Sequence, residues 1–479
     1  MVTGTLRLFS EADLDRLQEA VFTVLERTGI RVYGEEFLAG LVQCGAAVDQ
    51  AQRVARFPYP IVADFIEEHR RRGWQPEREQ GQPPAREQIG LSGVIAPFYF
   101  DYDRQTRRAP TRQDLLDTIH WADVDCSPER QVDLAVTMSE VDPRLEPIEA
   151  YALLLEHTRR PGGAYTLSAD QIPFLLELSE VYYGQKVFPR GPDFMTSPLT
   201  FGGRLAEHTL AAIRFGQRHF SMGIMPISGS NTPMTLAGTV VTGAAEALGA
   251  ALVIRSLAPE ATFSFAACNG TTDLRKGFAL FNAPEALLTN LGTAELFIRR
   301  FGGHFKVAAG SDYIDSHLPG LGVAYERVYR AMAISAFTGE VFHLGGQGTL
   351  GAGQIFSPVQ FILERDLSGA LWRLGQGIQV NEETLALETI LQVGPGERGS
   401  YLESEHTLHH CRELWFPRFF QRGPFEGDEI EQRRDRQMLE AANQHYKDCL
   451  ARYTPPELAE ETRRELHQIV HRARQVLLA

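Results

Sequence analysis

The chain has 479 residues, 43% hydrophobic and 23% charged, with 26 prolines. That composition excludes a fibrous or disordered protein and fits a globular one of barrel size with extensions. A formal net charge of −14 argues against broad nucleic-acid binding, which needs a basic face. Five cysteines (Cys44, Cys126, Cys268, Cys411, Cys449) show no CxxC spacing, so reduced thiols are expected, with neither a disulfide framework nor a zinc site. The first residues, MVTGTLRLFSEADLDRL, are acidic where a secretory signal is apolar. No uninterrupted apolar run reaches the roughly 18 residues of a membrane span. The expectation is a cytoplasmic protein with no membrane or nucleic-acid partner.

In chain order, Ser10-Glu11-Ala12-Asp13 reads as a helix cap, followed by Leu14, Leu17, Val21 and Leu25 at helical spacing. EEFLAGLVQCGA and residues 60–70 predict two more helices. RRGWQPEREQGQPPAREQIG (71–90) is charged and rich in Pro and Gly, the mark of a linker or long loop. It closes an N-terminal helical segment, 1–90. VIAPFYFDYDRQTRRAP then alternates like strands or a hairpin. From Thr111 onward, candidate strands at 132–138, 162–168, 192–200, 219–228, 261–268, 302–310 and 340–346 alternate with amphipathic helices. Seven or so such repeats favour a (β/α)8 barrel over an open doubly wound sheet, assigned to 91–430. Gly348 to Gly353 is glycine-rich but opens no dinucleotide-binding βα unit; such glycines suit close approach of a ligand or partner. Charged helices over 431–479 read as an outer wrap or an oligomer contact.

The stretch 227–277 predicts one complete β/α unit. The strand ends at Ser228-Gly229-Ser230-Asn231, Thr232 reads as an N-cap and Pro233 as the first helical residue. A small-residue helix runs to about Arg255. TFSFAAC then returns as a strand opening into Asn269-Gly270-Thr271-Thr272-Asp273. Polar loops after both strands lie where parallel α/β folds gather their chemistry.

Several segments together resemble one known family. They are VLERTGIRVYGEEFLAGLVQCGAAVD, TRRAPTRQDLLDTIHWAD, SGSNTPMTLAGTVVTGAAEALGAALV with DLRKG beyond it, and LALETILQVGPGERGSYLESEHTLHHCRELWFPRFF. In collinear order they are similar to the trimethylamine methyltransferase family, whose relatives include enzymes of quaternary amines such as glycine betaine. The resemblance implies a TIM barrel that moves a methyl group from an amine nitrogen to the cobalt of a cobalamin. That corrinoid is carried by a separate partner protein and not bound tightly by this chain. Two departures bear on substrate. The founding members use pyrrolysine, and every residue here is standard. The family's Asp-X-Lys and Asp-X-Gln run stands here as Ser311-Asp312-Tyr313-Ile314-Asp315-Ser316-His317.

Demethylating a quaternary amine needs a site that holds a cation, aims one N–CH3 bond and excludes water; aromatic faces and carboxylates suit it. Tyr99, Tyr313 and Phe356 are candidate cage aromatics beside Phe98, Phe100, Tyr165 and Phe265, with burial in a core as the competing role. Asp312 either faces the cation or caps a helix. His343 and Gln347 lie just past the seventh strand, with a binding or orienting role set against a hydrogen-bonded core histidine. Asn269 is placed either to bond a substrate carboxylate or to order its loop. The backbone N–H groups at Ser230 and Asn231, and Arg204, are candidate carboxylate donors. His406, His409 and His410 have no metal-ligand spacing. A diverged barrel lyase or decarboxylase, or a non-catalytic betaine-binding protein, fits the same residues. A homo-oligomer is expected.

Overall fold

In the computed structural model, residues 6–72, 89–91, 95–302, 305–307, 313–338, 344, 346–395, 400–420 and 427–479 are described. The predicted N-terminal helices are α1 (Glu11–Thr23), α2 (Glu35–Gln43) and α3 (Tyr59–Arg72). Ser10 caps α1 as expected: Asp13 N–H donates to Ser10 Oγ while Ser10 N–H donates to Asp13 Oδ2, both at 3.2 Å. Between these helices the chain forms three short strands, β1 (Ile30–Val32), β2 (Ala47–Asp49) and β3 (Val54–Arg56). Three-residue strands carry no readable period, so pattern reading passes over them. The 71–90 linker falls largely outside the described residues.

The predicted hairpin is present as β4 (Phe98–Asp101) against β5 (Thr106–Arg108). Beyond it the chain alternates. Parallel bridges join Leu91 to Val132, Ala96 to Val136, Val132 to Pro161, Tyr165 to Arg190 and Phe194 to Gly223. The succession continues through β7 (His219–Ile224), β9 (Thr262–Ala267) and β12 (Phe305–Lys306), paired parallel in that order. Seven consecutive chain segments therefore lie side by side. The helices between them are α4 (Arg112–Asp125), α5 (Glu146–His157), α6 (Ile172–Tyr183), α7 (Gly203–Arg214), α8 (Leu236–Arg255) and α9 (Pro284–Leu296). Next come α10 (Leu321–Thr338) and α11 (Pro358–Gln376). The remaining strands are short: β6 (Thr200–Phe201), β8 (Ile227–Ser228), β10 (Gly270–Asp273), β11 (Phe278–Leu280), β13 (Thr349–Leu350) and β14 (Ile355–Phe356). The fold is mixed α/β, with its described strands in several small sheets.

Alternation along β7 and β9 decides what faces the helices. Phe220, Met222, Ile224, Phe263, Phe265 and Ala267 are buried in one core with α8 and with α1 to α3. On the other face His219 bonds Thr262 Oγ1 at 3.0 Å and Ser264 Oγ at 3.1 Å. Small residues let α8 sit close: a Cβ on Gly249 would lie 2.5 Å from Ile30 Cγ1. By length and composition α8 is apolar enough to cross a membrane, but 78% of its most apolar window is buried inside the protein and Glu246 interrupts it.

The C-terminal helices wrap the other half. After α12 (Glu382–Leu385), α13 (Leu387–Val393), α14 (Glu405–His410) and α15 (Asp428–Glu431) come α16 (Arg434–Arg452) and α17 (Glu460–Leu477). α16 packs on α4 and α11, and α17 on α5 and α6. Trp121 is fully buried there, 4.8 Å from the Phe361 ring and 5.9 Å from Tyr446. The charged helices expected over 431–479, as an outer wrap or an oligomer contact, thus pack against the chain's own α4, α5, α6 and α11.

Candidate active site

The loops that follow the parallel segments are themselves stitched into an arc. β8 pairs parallel with β10, which folds back on β11. From β11 the arc passes to 313–317, because Asp315 accepts the N–H of Phe281 and of Asn282, both at 2.9 Å. Gly351 N–H donates to Ser316 O at 2.8 Å and Ala352 N–H to Ile314 O at 2.6 Å. β13 turns into β14, and β14 runs parallel to β4, returning the last loop to the first segment. Phe100, Ile314, Leu350 and Ile355 fill the joint between these pieces.

One helix grips three of these loops. The buried stripe of α10, Val323–Arg327–Arg330–Ile334, carries two arginines with no side-chain exposure. Arg327 Nε donates to Glu364 Oε1 at 3.1 Å, with both side chains fully buried. Its Nη2 donates to Gly346 O at 2.6 Å and to Thr349 O at 2.9 Å. Glu364 in turn accepts from Gly348 N–H at 2.8 Å and from Gln360 Nε2 at 3.0 Å. Arg330 Nη1 donates to Phe281 O at 2.5 Å, and burial pulls its guanidinium below the ordinary arginine range. Glu326 accepts from Asp315 N–H at 2.7 Å and Ser316 Oγ at 2.8 Å. Burial pushes the Asp315 carboxyl up, against the two backbone N–H groups that bind it. A loop clamped by paired buried charges holds its shape, because breaking either partner strands the other in low dielectric. Sequence reading missed Arg327, Arg330 and Glu364; the signal was two arginines on an otherwise apolar helical stripe.

The predicted site residues fall in different places. Asp312 and His343 lie outside the described residues. Tyr313 is half-buried, its ring 5.3 Å from Phe281. Gln347 is buried within the clamped loop. These two are brought together with 313–317 and 346–352 on the arc. Tyr99 and Phe356 are paired backbone to backbone and buried in the core shared with α4 and α11; the Arg108 guanidinium lies 4.9 Å from the Tyr99 ring centroid. Phe265 is likewise buried, against Phe297 and Phe305. Asn269 is fixed to α9: its N–H donates to Asn290 Oδ1 at 2.8 Å and its Nδ2 to Thr293 Oγ1 at 3.3 Å. Its Oδ1 is buried without a protein partner. Arg204 is exposed at the start of α7 and lines a cavity of about 290 Å³ with Arg144, Gln171 and Glu207.

The start of α8 corrects the sequence reading. The helix begins at Leu236 after Thr235, not at Pro233 after Thr232. The N–H groups of Ser230, Asn231 and Thr232, expected to receive a carboxylate at a helix start, all turn to Ile227 O at 3.1 to 3.3 Å. Asn231 Oδ1 accepts from Ile227 N–H at 2.6 Å, and Thr239 Oγ1 donates to Pro233 O at 3.0 Å. Polar residues of 228–239 close a turn on themselves, a local alternative to helix that Ser, Thr and Asn offer.

Two buried carboxylates were also missed. Glu146 accepts from Met138 N–H at 2.9 Å and from the Tyr165 hydroxyl; burial pushes it up and those bonds oppose it. This gives Tyr165 a hydrogen-bonding partner on α5. Burial raises the Glu246 pKa to about 7, and among the described residues it accepts from Ser197 Oγ and Leu199 N–H. Among the described residues, two donor sets converge closely enough to hold a metal ion: Asp125–His445–Cys449 and, at the surface, Glu383–His409–His410. In the first set, Arg365 pairs with Asp125 at 2.5 Å and Arg452 donates to Cys449 Sγ at 3.0 Å, so those ligand atoms already face cations. A cavity of about 1120 Å³ runs along α17 and α6 among Glu177, Arg463 and Arg472; it touches none of the arc.

Side-by-side parallel segments whose following loops are joined into one arc define an α/β protein of the kind that carries its ligand site on that rim. The sequence model of the trimethylamine methyltransferase (MTTB) family matches residues 2–477, and the chain belongs to that family. It is 24% identical over 421 residues to the trimethylamine methyltransferase MttB of Desulfitobacterium hafniense (strain DSM 10664 / DCB-2), covering 84% of this chain and 82% of the relative. It is 26% identical over 423 residues to that of Methanosarcina barkeri, covering 84% and 83%. Over 393 residues it is 25% identical to the glycine betaine methyltransferase of Desulfitobacterium hafniense (strain Y51), covering 80% and 79%.

Proposed function

We propose that this protein transfers a methyl group from a small quaternary amine of the glycine betaine type to the cobalt of a separate corrinoid protein. The carrying observation is family membership along residues 2–477, with relatives named for both trimethylamine and glycine betaine. A sequence made only of standard amino acids disfavours the pyrrolysine-dependent trimethylamine reaction. A quaternary substrate needs no such residue, because its nitrogen already leaves as a neutral amine. In this reading the seven parallel segments belong to a closed (β/α)8 barrel, and β14 beside β4 supports that closure.

Chemistry then asks little of the side chains. The N–CH3 bond breaks with its electron pair remaining on the amine, and the methyl is taken in line by the cobalt(I) of the acceptor. No proton moves, so neither a general acid nor a base is required. The chain binds the cation, aims the bond and excludes water. The roles assigned are binding of the ammonium group to Asp312 and Tyr313 and orientation of the substrate to His343 and Gln347, the last of these held in the clamped loop. The acceptor protein approaches over the glycine-rich 346–353 rim.

The test is demethylation of a panel including glycine betaine, carnitine and proline betaine, followed by loss of cob(I)alamin absorbance. Methylation with one amine and not the others is expected. Tight binding of an amine with no methylation of cobalt would favour a binding protein. Turnover without cob(I)alamin would favour a lyase or decarboxylase.

A further inference from the structure

At the end of the parallel segments away from the rim, the sheet has a gap. The segment 190–195 joins one neighbour at Arg190, whose N–H donates to Ala164 O at 2.9 Å. It joins β7 at Gly223, whose N–H donates to Asp193 O at 2.8 Å and whose carbonyl accepts from Met195 N–H at 2.9 Å. That bridge to β7 stands isolated. Pro189 and Pro192 have no N–H with which to extend it. Between them and the first half of β7 lies a cavity of about 340 Å³, at the lower end of the ~300–1,000 Å³ of small-molecule sites. The arc follows the far end of β7, so at ~3.3 Å per residue the cavity sits on the order of 20 Å behind the rim. No described residue of the arc lines it.

Three polar side chains of the lining are short of partners. His208, on α7, is 7% exposed, and its Nε2 is buried with no hydrogen bond among the described residues. Its ring reaches the cavity because residue 191 is glycine: a Cβ there would lie 2.0 Å from His208 Cε1. Gln217 Nε2 donates to His219 O at 2.8 Å, which fixes the amide and leaves its Oε1 buried without a donor. Burial raises Asp193 to about 6, against the Arg190 charge and its own N–H. Burial also pulls His208 down to about 4, so its imidazole is neutral. Leu205, Phe220 and Met222 supply apolar wall. Two exposed arginines complete the lining: Arg190 reaches Asp133 only at 3.8 Å, and Arg218 Nη1 donates to Gln217 O at 3.1 Å. Acceptors inside and cations at the mouth ask for a ligand that donates at one end and carries negative charge at the other.

We infer that this cavity is a second ligand site, for a small zwitterionic amino acid whose amine nitrogen keeps at least one N–H. The ammonium donates to Asp193 and Gln217 Oε1, N-alkyl groups lie against Leu205 and Met222, and the carboxylate meets Arg190 and Arg218. A quaternary ammonium has no N–H and leaves both buried acceptors unpaired, which is the strongest form of rejection a polar pocket has. In one respect the inference touches the reaction proposed above and rests on it: demethylating a betaine yields a tertiary amine, protonated in water, so product belongs to this class and substrate does not.

The test uses the full chain without any cobalamin, titrated at pH 8 with N,N-dimethylglycine and separately with glycine betaine. Calorimetry measures binding, and ¹³C-methyl spectra of the eight methionines, assigned through Met222→Leu, report whether the cavity is occupied. Saturable binding of dimethylglycine with a shift of the Met222 methyl is expected, and glycine betaine should leave that methyl where it is. Asp193→Asn should weaken dimethylglycine binding at least about 30-fold, as loss of a charge partner does. Gln217→Met should weaken it about 5-fold or more, as loss of a neutral acceptor does. Circular dichroism and melting temperature control for folding, and either variant suffices if the other fails to fold. A Met222 methyl unmoved up to about 10 mM dimethylglycine leaves a cavity filled by water only and overturns the inference. So does an equal response to glycine betaine, or binding that both variants leave unchanged. Because no methyl acceptor is present, failure of methyl transfer leaves this result standing, and methyl transfer without a Met222 response removes this site alone.

Discussion

Glu246 makes a prediction whose size follows from its surroundings. It lies fully buried in α8, and its oxygens accept from Ser197 Oγ and Leu199 N–H, each at 2.8 Å. No cation among the described residues pairs with it. Burial raises its pKa from 4.5 to about 7, and the two hydrogen bonds pull back only in part. Through them it holds the 197–201 loop, whose β6 pairs with β1 and so seats the N-terminal sheet. Glu246→Gln keeps both contacts: the amide oxygen accepts from Leu199 and the amide N–H donates to Ser197 Oγ. Only the ionisation is removed.

The sign follows from linkage. Because the folded pKa is raised, the wild-type stabilisation is complete below about pH 4.5, falls as pH rises, and is gone once pH passes about 7. A shift of this size corresponds to about 3 kcal/mol across the whole window, of which about 2 kcal/mol falls between pH 5.5 and 8. Paired urea titrations of wild type and Glu246→Gln at those two pH values measure it. The variant should gain about 2 kcal/mol on wild type at pH 8 relative to pH 5.5. A difference constant within about 0.5 kcal/mol would show that Glu246 is hydrated or paired, and the reasoning would fail.

Three further outcomes are expected. Arg327→Met should destabilise by about 3–5 kcal/mol, because it strands Glu364 and two loop carbonyls, whereas Arg327→Met with Glu364→Met should recover much of that loss; equal losses in urea titrations would remove the clamp. Gly348→Ala should cost more than Gly184→Ala, although both glycines have positive φ, because its Cβ would meet Phe356, Phe361 and Ser357 at 2.9 Å while Gly184 faces open space. Melting temperatures decide, with strain alone accounting for about 1 kcal/mol and overpacking adding about 1–3. His445 is raised to about 9 by Asp125 and then Cys449. Its stabilisation is complete below about pH 6.5 and disappears as pH rises through about 9. Melting temperatures at pH 7 and 9.5 should show His445→Gln losing this alkaline sensitivity.

What could be read from the sequence was what repeats. The helix periods of α1 to α9, the capping box at Ser10 and the alternation of β7 and β9 all carry a hydrophobic pattern that burial then enforces. The turn at 228–235 was misread because Ser, Asn, Thr and Pro are equally at home in a helix cap and in a self-bonded turn; hydrogen bonds to Ile227 O decided for the turn. The aromatics show the same ambiguity in another form. Tyr99 and Phe356 alternate as a cage would, yet a period of two says only that one face differs from the other, and here the face is core. The clamp on α10 was legible in principle, since an arginine on a buried stripe must find a partner. Its partner, Glu364, lies 37 residues away on another helix, and no local pattern joins them. Apolar burial is written periodically and locally, while the polar contacts that shape the rim are long-range pairs, each specified by two distant residues. That asymmetry makes the Arg327–Glu364 pair, and not any single loop residue, the most informative place to perturb the shape of the rim.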